Sequence, residues 1–284
     1  MGTIKPLITL THQGSILAIQ RLDKKIAILD ATYTLNYYDD EFELKVRKCF
    51  LKEEEQARSF HKAFSFDDHF LIAPVMHDNK FLVYENGVHG MHLQKKFSWH
   101  ESELESTSIS PDDHLLATGG QDGRVLLFDL DELVYMGVIN QSSEYVARVM
   151  FSPNGRYLVM SSFDKFISIF HLEQHRIIQT ISLNEPCEVL RFYEGGNKLY
   201  YTTRGGASVL FDVITRKTIN STVYFNTWPS SSVLSDDEKV IFVATRGGFL
   251  QVVSLEDNTL LINLDLGMQD ITHLSIQNKH LLVG

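Results

Sequence analysis

Twelve histidines and two cysteines are the residues of this chain with the widest reach into metal and nucleophilic chemistry, and their spacing argues against both. His171 and His175 stand four apart, the separation that lets two imidazoles share one ion on a helix face. The segment between them, HLEQH, joins two strand-like runs, and residues four apart in extended chain lie about 13 Å apart. His89 and His92 fall in a run read as a strand, so three residues of separation turn them to opposite faces. Cys49 and Cys187 make no C-x-x-C pair, and the chain has neither a glycine-rich phosphate loop nor a Gly-x-Ser-x-Gly elbow. Arg-Gly-Gly occurs at 204–206 and again at 246–248. RNA-binding tails carry such motifs densely; two copies 42 residues apart read instead as turns whose glycines adopt positive φ. No catalytic residue, metal site or cofactor is expected.

Composition narrows the function further. Lys plus Arg number 26 against 36 Asp plus Glu, a net charge of −10, which is the wrong sign for a sequence-independent grip on nucleic acid. No apolar run approaches the roughly 20 residues of a membrane span. The opening MGTIKPLITLTHQG lacks the features of a signal peptide, and two cysteines suit a reducing compartment, so a cytoplasmic address is expected.

The elements that would have to position any site are strands. Apolar residues come in runs of four or five rather than at helical spacing, and Val, Ile, Leu, Phe and Tyr dominate them. Runs such as LLATGG and VLLF are apolar at consecutive positions, which predicts sheets covered on both faces. A three-strand unit recurs, its third strands reading TLNYYD, KFLVYE, RVLLFD, FISIFH, ASVLFD and FLQVVS. Their aligned residues Tyr38, Tyr84, Phe128, Phe170, Phe211 and Val253 recur every 43 residues on average. The turns at 66–68, 111–113, 153–155, 194–196 and 236–238 keep the same period ahead of the second strands. Small antiparallel sheets stacked face to face around an axis satisfy this pattern, so the fold class is an all-β propeller.

The repeat resembles the WD40 family, and the resemblance runs the length of the chain. It is best from His100, through Ser110-Pro111-Asp112, to LLATGGQDGRVLLFDL. The family's turn aspartate corresponds to Asp78, Asp122 and Asp164, with Thr32, Gly205 and Gly247 in the other repeats. Tyr, Phe or Val replaces its tryptophan, so the repeats are degenerate. Part of the family's buried His-Ser/Thr-Asp-Trp network is expected in repeat three at most, from His100, Thr118 and Asp122 beside Phe128. The resemblance implies seven four-stranded antiparallel blades in one domain spanning 1–284. Ile4–Leu10 would be the outer strand of the seventh blade, and 271–284 its first two strands. Seven periods of 43 exceed the 284 residues by 17, about a strand and its turns. The seventh blade is therefore expected to be incomplete, and the native chain to continue past Gly284.

The function expected of such a ring is a non-enzymatic scaffold that binds another protein or domain. A propeller enzyme or small-ligand binder would need convergent polar groups on the innermost strands. There Glu105 and Glu188 share one position, but Phe60, Ala147 and Ser230 hold it in other repeats, too few acids for a divalent-cation cage. An accessory subunit of a redox or respiratory complex is a third reading. By the resemblance, one face carries the turns between second and third strands and the loops that enter each blade. On that face Arg204 and Arg246 occupy equivalent turns, and Trp228 lies in the loop FNTWPSS between them. Phe163 stands at the matching turn of the fourth blade and Trp99 in the loop entering the third. Arginine and tryptophan dominate interface energetics. Arginines on an otherwise acidic molecule predict a partner with an acidic surface, bound less tightly as salt rises.

Overall fold

Strand follows strand along the chain, with a single 3₁₀ turn at Glu194–Gly196 among the described residues. The structure, a computed structural model, describes residues 16–22, 25–30, 32, 34–39, 41–49, 65–67, 69–75, 79–87, 90–224, 227–268, 270–277 and 280–284. The strands form six four-stranded antiparallel sheets, each an up-and-down meander in chain order. Blade one comprises Ile16–Leu22, Lys25–Asp30, Thr34–Tyr38 and Leu44–Cys49. Blade two comprises Ser65–Phe66, Phe70–Val75, Lys80–Gly87 and Gly90–Phe97. Blade three comprises Leu104–Ile109, Leu115–Gly120, Arg124–Asp129 and Val134–Gln141. Blade four comprises Val146–Phe151, Tyr157–Ser162, Phe166–His171 and Arg176–Ser182. Blade five comprises Cys187–Tyr193, Lys198–Thr203, Ala207–Asp212 and Lys217–Val223. Blade six comprises Pro229–Leu234, Val240–Thr245, Phe249–Ser254 and Leu260–Asp265.

Burial follows strand position, as a stacked-sheet architecture requires. Every residue of Tyr157–Ser162 is buried, whereas Arg176–Ser182, the outer strand of the same blade, has none buried. The aromatic near the end of the third strand in blades one to five, replaced by Val253 in blade six, packs between blades. Phe128 is fully buried among Phe81 and Phe97 of blade two, with ring centroids 5.1 and 4.8 Å away. Phe170 is buried in the cluster shared by blades three and four. Near the axis, successive first strands are stitched by hydroxyls one repeat apart. Ser106 Oγ accepts from Val149 N–H (3.0 Å), Ser108 Oγ from Phe151 N–H (3.1 Å) and Ser231 Oγ from Leu274 N–H (3.1 Å).

Repeat three holds its buried network. His100 Nε2 lies 2.8 Å from Thr118 Oγ1, and its Nδ1 lies 3.0 Å from Asp122. Blade four keeps only a remnant, in which Asp164 bonds Ser162 Oγ and accepts from Ser143 N–H (3.2 Å).

Two expectations need correction in part. Among the described residues the four-stranded blades number six rather than seven, and the hairpin Leu274–Gln277 with His280–Val283 supplies the two strands expected from 271–284. Ile4–Leu10, expected beside them, lie outside the described residues. The hairpin packs between blades six and one, with Leu281 and Val283 against Ala244 and Leu250, and Leu282 against Ile26 and Ile28. The second correction concerns the Arg-Gly-Gly turns. Only their second glycines, Gly206 (φ 89°) and Gly248 (φ 77°), have positive φ. Asn79, Gly123 and Lys165 take the left-handed conformation at the same turn position in other blades, so glycine eases this turn without being essential to it.

Candidate partner-binding face

The turn between second and third strands is built the same way in blades three to six. Its first residue donates its N–H to the carbonyl of the loop entering the same blade. Gln121 donates to Glu103 (2.8 Å), Phe163 to Tyr145 (3.0 Å), Arg204 to Pro186 (2.9 Å) and Arg246 to Trp228 (2.9 Å). One backbone bond thus sets a turn residue beside a loop residue in each blade, and the period of the ring brings the four pairs to one face.

On blades four to six these side chains form a continuous row. Tyr145 stacks on Phe163 with centroids 4.3 Å apart. The Arg204 guanidinium lies over Phe163 at 5.1 Å and over Trp228 at 4.4 Å. Arg246 lies over the Trp228 ring at 5.6 Å. Each such cation–π contact contributes about 0.5–2 kcal/mol, more as water is excluded. Trp228 is nonetheless 45% exposed and Tyr145 37% exposed, so the row presents aromatic surface rather than burying it.

Of the five residues singled out by sequence, Arg204, Trp228, Arg246 and Phe163 come together. Trp99 does not join them; it stacks on Tyr135 of blade three at 4.2 Å, because its loop enters a blade whose turn carries Gln121 rather than an arginine or aromatic. Tyr145 was missed, although it holds the loop position of Trp228 two repeats earlier. The role of Glu188 was missed as well. This buried acid takes Arg204 Nε (2.7 Å) and Nη2 (2.6 Å) on one oxygen. Glu105 likewise accepts from Gln121 Nε2 (2.7 Å). The first-strand acids therefore anchor the turn residues of their own blades and do not converge on the axis. Arg204 is consequently charge-compensated, whereas Arg246 makes no ion pair among the described residues.

Metal-ligating side chains converge elsewhere, at the turns between first and second strands. Asp67, His69 and Asp113 place one ligand atom each within 4.8 Å of one another, with His69 Nδ1 2.6 Å from Asp113 Oδ2. The two aspartates lie in turns that the repeat aligns, the one signal in the sequence for this cluster.

The WD domain, G-beta repeat family matches residues 91–129 and 135–171. The small ribosomal subunit protein RACK1 of Neurospora crassa is 39% identical over 82 residues, 29% of this chain and 25% of that protein. The MST50-interacting protein 11 of Pyricularia oryzae is 39% identical over 82 residues, with the same coverage. Protein HIR1 of Mycosarcoma maydis is 24% identical over 164 residues, 54% of this chain and 16% of that protein. The chain thus spans a quarter or less of the length of these three relatives. The matched segments fall on blades two to four and include the His100–Thr118–Asp122 network; these residues carry WD40 repeats, and around them the remaining blades of the β-propeller keep the period while losing the signature residues.

Proposed function

We propose that the chain is a non-enzymatic scaffold of cytoplasmic address that docks another protein on the face carrying Tyr145, Phe163, Arg204, Trp228 and Arg246. The observation that carries this reading is the exposed Arg–Trp–Arg stack fixed from behind by Glu188. Such a platform is ordered before a partner arrives, so docking costs little side-chain entropy. Arginine and tryptophan supply much of the energy in protein interfaces. The similarity to proteins named as a ribosomal subunit protein and as an interacting protein supports the same class. Arg246, which has no acidic partner among the described residues, selects for an acidic partner surface. In this reading residues 1–284 are one propeller, and Ile4–Leu10 complete the hairpin as the outer strand of a seventh blade.

The test is recovery of partners from native cells by wild type, Trp228→Ala and Arg246→Glu, each matched in melting temperature. Both variants are expected to lose the same captured protein, and added salt to weaken the wild-type complex. Full recovery by folded Trp228→Ala and Arg246→Glu would place the interface elsewhere.

A further inference from the structure

Two arginines of the central channel are used by nothing described so far. Arg148, on the first strand of blade four, donates from Nε and Nη2 to the Glu188 carbonyl (3.3 and 3.2 Å) and from Nη2 to the Ser230 carbonyl (3.4 Å). It therefore reaches past blade five to blade six. Arg191, on the first strand of blade five, donates to the carbonyls of Leu190 and Ser232, both at 2.9 Å. Neither guanidinium makes an ion pair with a carboxylate among the described residues, although the charge of Glu188 acts on Arg148 from a distance. Burial lowers the basicity of both, and the charge of Arg148 adds to the effect on Arg191, which falls to about 10.

Arg191 lines a cavity of about 440 Å³ that opens between the first strands of blades two to five. Ser65, Ser108 and Met150 form its wall, and Asp67 and Asp113 its rim. Asp67 Oδ1 accepts from the N–H groups of His69 (2.7 Å) and Phe70 (2.6 Å), while its Oδ2 is buried without a hydrogen-bond partner among the described residues. Burial, and then the neighbouring charge of Asp113, raise the pKa of this carboxyl. A guanidinium without a carboxylate and a carboxylate oxygen without a donor thus border the same cavity and do not meet. Buried polar groups are satisfied almost without exception, and unpaired buried charge is costly. Opposite charges held apart across a cavity call for an occupant that meets both.

We propose that this channel mouth binds a small zwitterion, its phosphate or carboxylate against Arg191 and its ammonium group against Asp67 and Asp113. The face is the one opposite the Arg204–Trp228 row, so the two sites are independent. The test uses the full chain, with binding read by calorimetry and by melting temperature. The probes are phosphoethanolamine and glycylglycine, which distinguish a phosphate from a carboxylate anion, with inorganic phosphate, ethanolamine, Mg²⁺ and Zn²⁺ as controls that carry charge of one sign only. At least one zwitterion is expected to bind and to raise the melting temperature more than any control. Arg191→Gln and Asp67→Asn should each weaken it about tenfold or more, as expected for loss of one charge-assisted contact; Trp228→Ala should leave it unchanged. If Arg191→Gln does not fold, Arg191→Lys serves instead, since an ammonium lacks the guanidinium fork. Three results would overturn the proposal: no zwitterion binding, so that the cavity holds water only; inorganic phosphate binding as well as the zwitterions; or a metal ion alone stabilising the protein equally in wild type and Arg191→Gln.

Discussion

Single residues decide which blade keeps its buried network. His100 can bridge Thr118 and Asp122 because Gly120 leaves room: a Cβ there would lie 2.4 Å from His100 Nδ1 and 2.7 Å from Asp122 Oδ1. Burial alone would raise the pKa of Asp122. Hydrogen bonds from His100 and from the N–H groups of Glu101 (2.8 Å) and Arg124 (3.0 Å) outweigh it and hold the carboxyl below its ordinary value of 3.8. A carboxyl depressed on folding stabilises the protein above its unfolded pKa. That contribution disappears as pH falls through the folded value. Urea midpoints of the wild type should therefore drop below pH about 4 by more than those of Asp122→Asn. Parallel pH profiles for the two proteins would remove Asp122 from the acid response. His100→Ala, which leaves Asp122 and Thr118 buried without their partner, should cost about 1–3 kcal/mol at neutral pH.

Elements are held by what lies between blades. A propeller blade is covered on both faces only by its neighbours, so the third-strand aromatics act as wedges between sheets. Phe128 meets Phe81, Phe97 and Tyr135 at centroid distances of 4.8 to 5.6 Å. Phe128→Ala and Phe170→Ala should each cost about 3–5 kcal/mol, a large fraction of the usual stability of a domain. Denaturant midpoints within error of wild type in both variants would contradict the inter-blade position of these rings. The fourth strands carry no such burden. Val134, Met136 and Val138 on the outer strand of blade three are about half exposed, as an edge with no further neighbour allows.

At the scale of the molecule, closure falls to the C-terminal hairpin. Ile271 is fully buried beside Ala244 and Leu250 of blade six. On the other side Leu282 meets Ile26 and Ile28, and His280 lies 5.7 Å from Phe42 of blade one. Removing 271–284 would uncover apolar faces of both blades, each Å² costing about 25 cal/mol. The truncated chain should melt at lower temperature and be cut by protease between blades under conditions where the full chain resists. An equally stable, equally resistant truncation would mean that the hairpin does not close the ring.

The repeat period, the strand order within each blade and the inward residue of each third strand were legible in the sequence, because local alternation and turn chemistry recur with every unit. Periodicity made the turns of Phe163, Arg204 and Arg246 equivalent, and the family resemblance put them and the Trp228 loop on one face. What periodicity does not carry is the direction of a long side chain. That Glu188 turns to Arg204 rather than to the axis, that Trp99 stacks on Tyr135, and that Arg148 crosses to blade six depend on contacts between residues distant in sequence. Counting periods placed two strands in 271–284, where the hairpin Leu274–Gln277 with His280–Val283 lies, whereas its packing between blades six and one belongs to tertiary structure. The cavity between Arg191 and Asp67 belongs wholly to tertiary structure, because its charges come from separate repeats and acquire meaning only when the ring sets them across a common space.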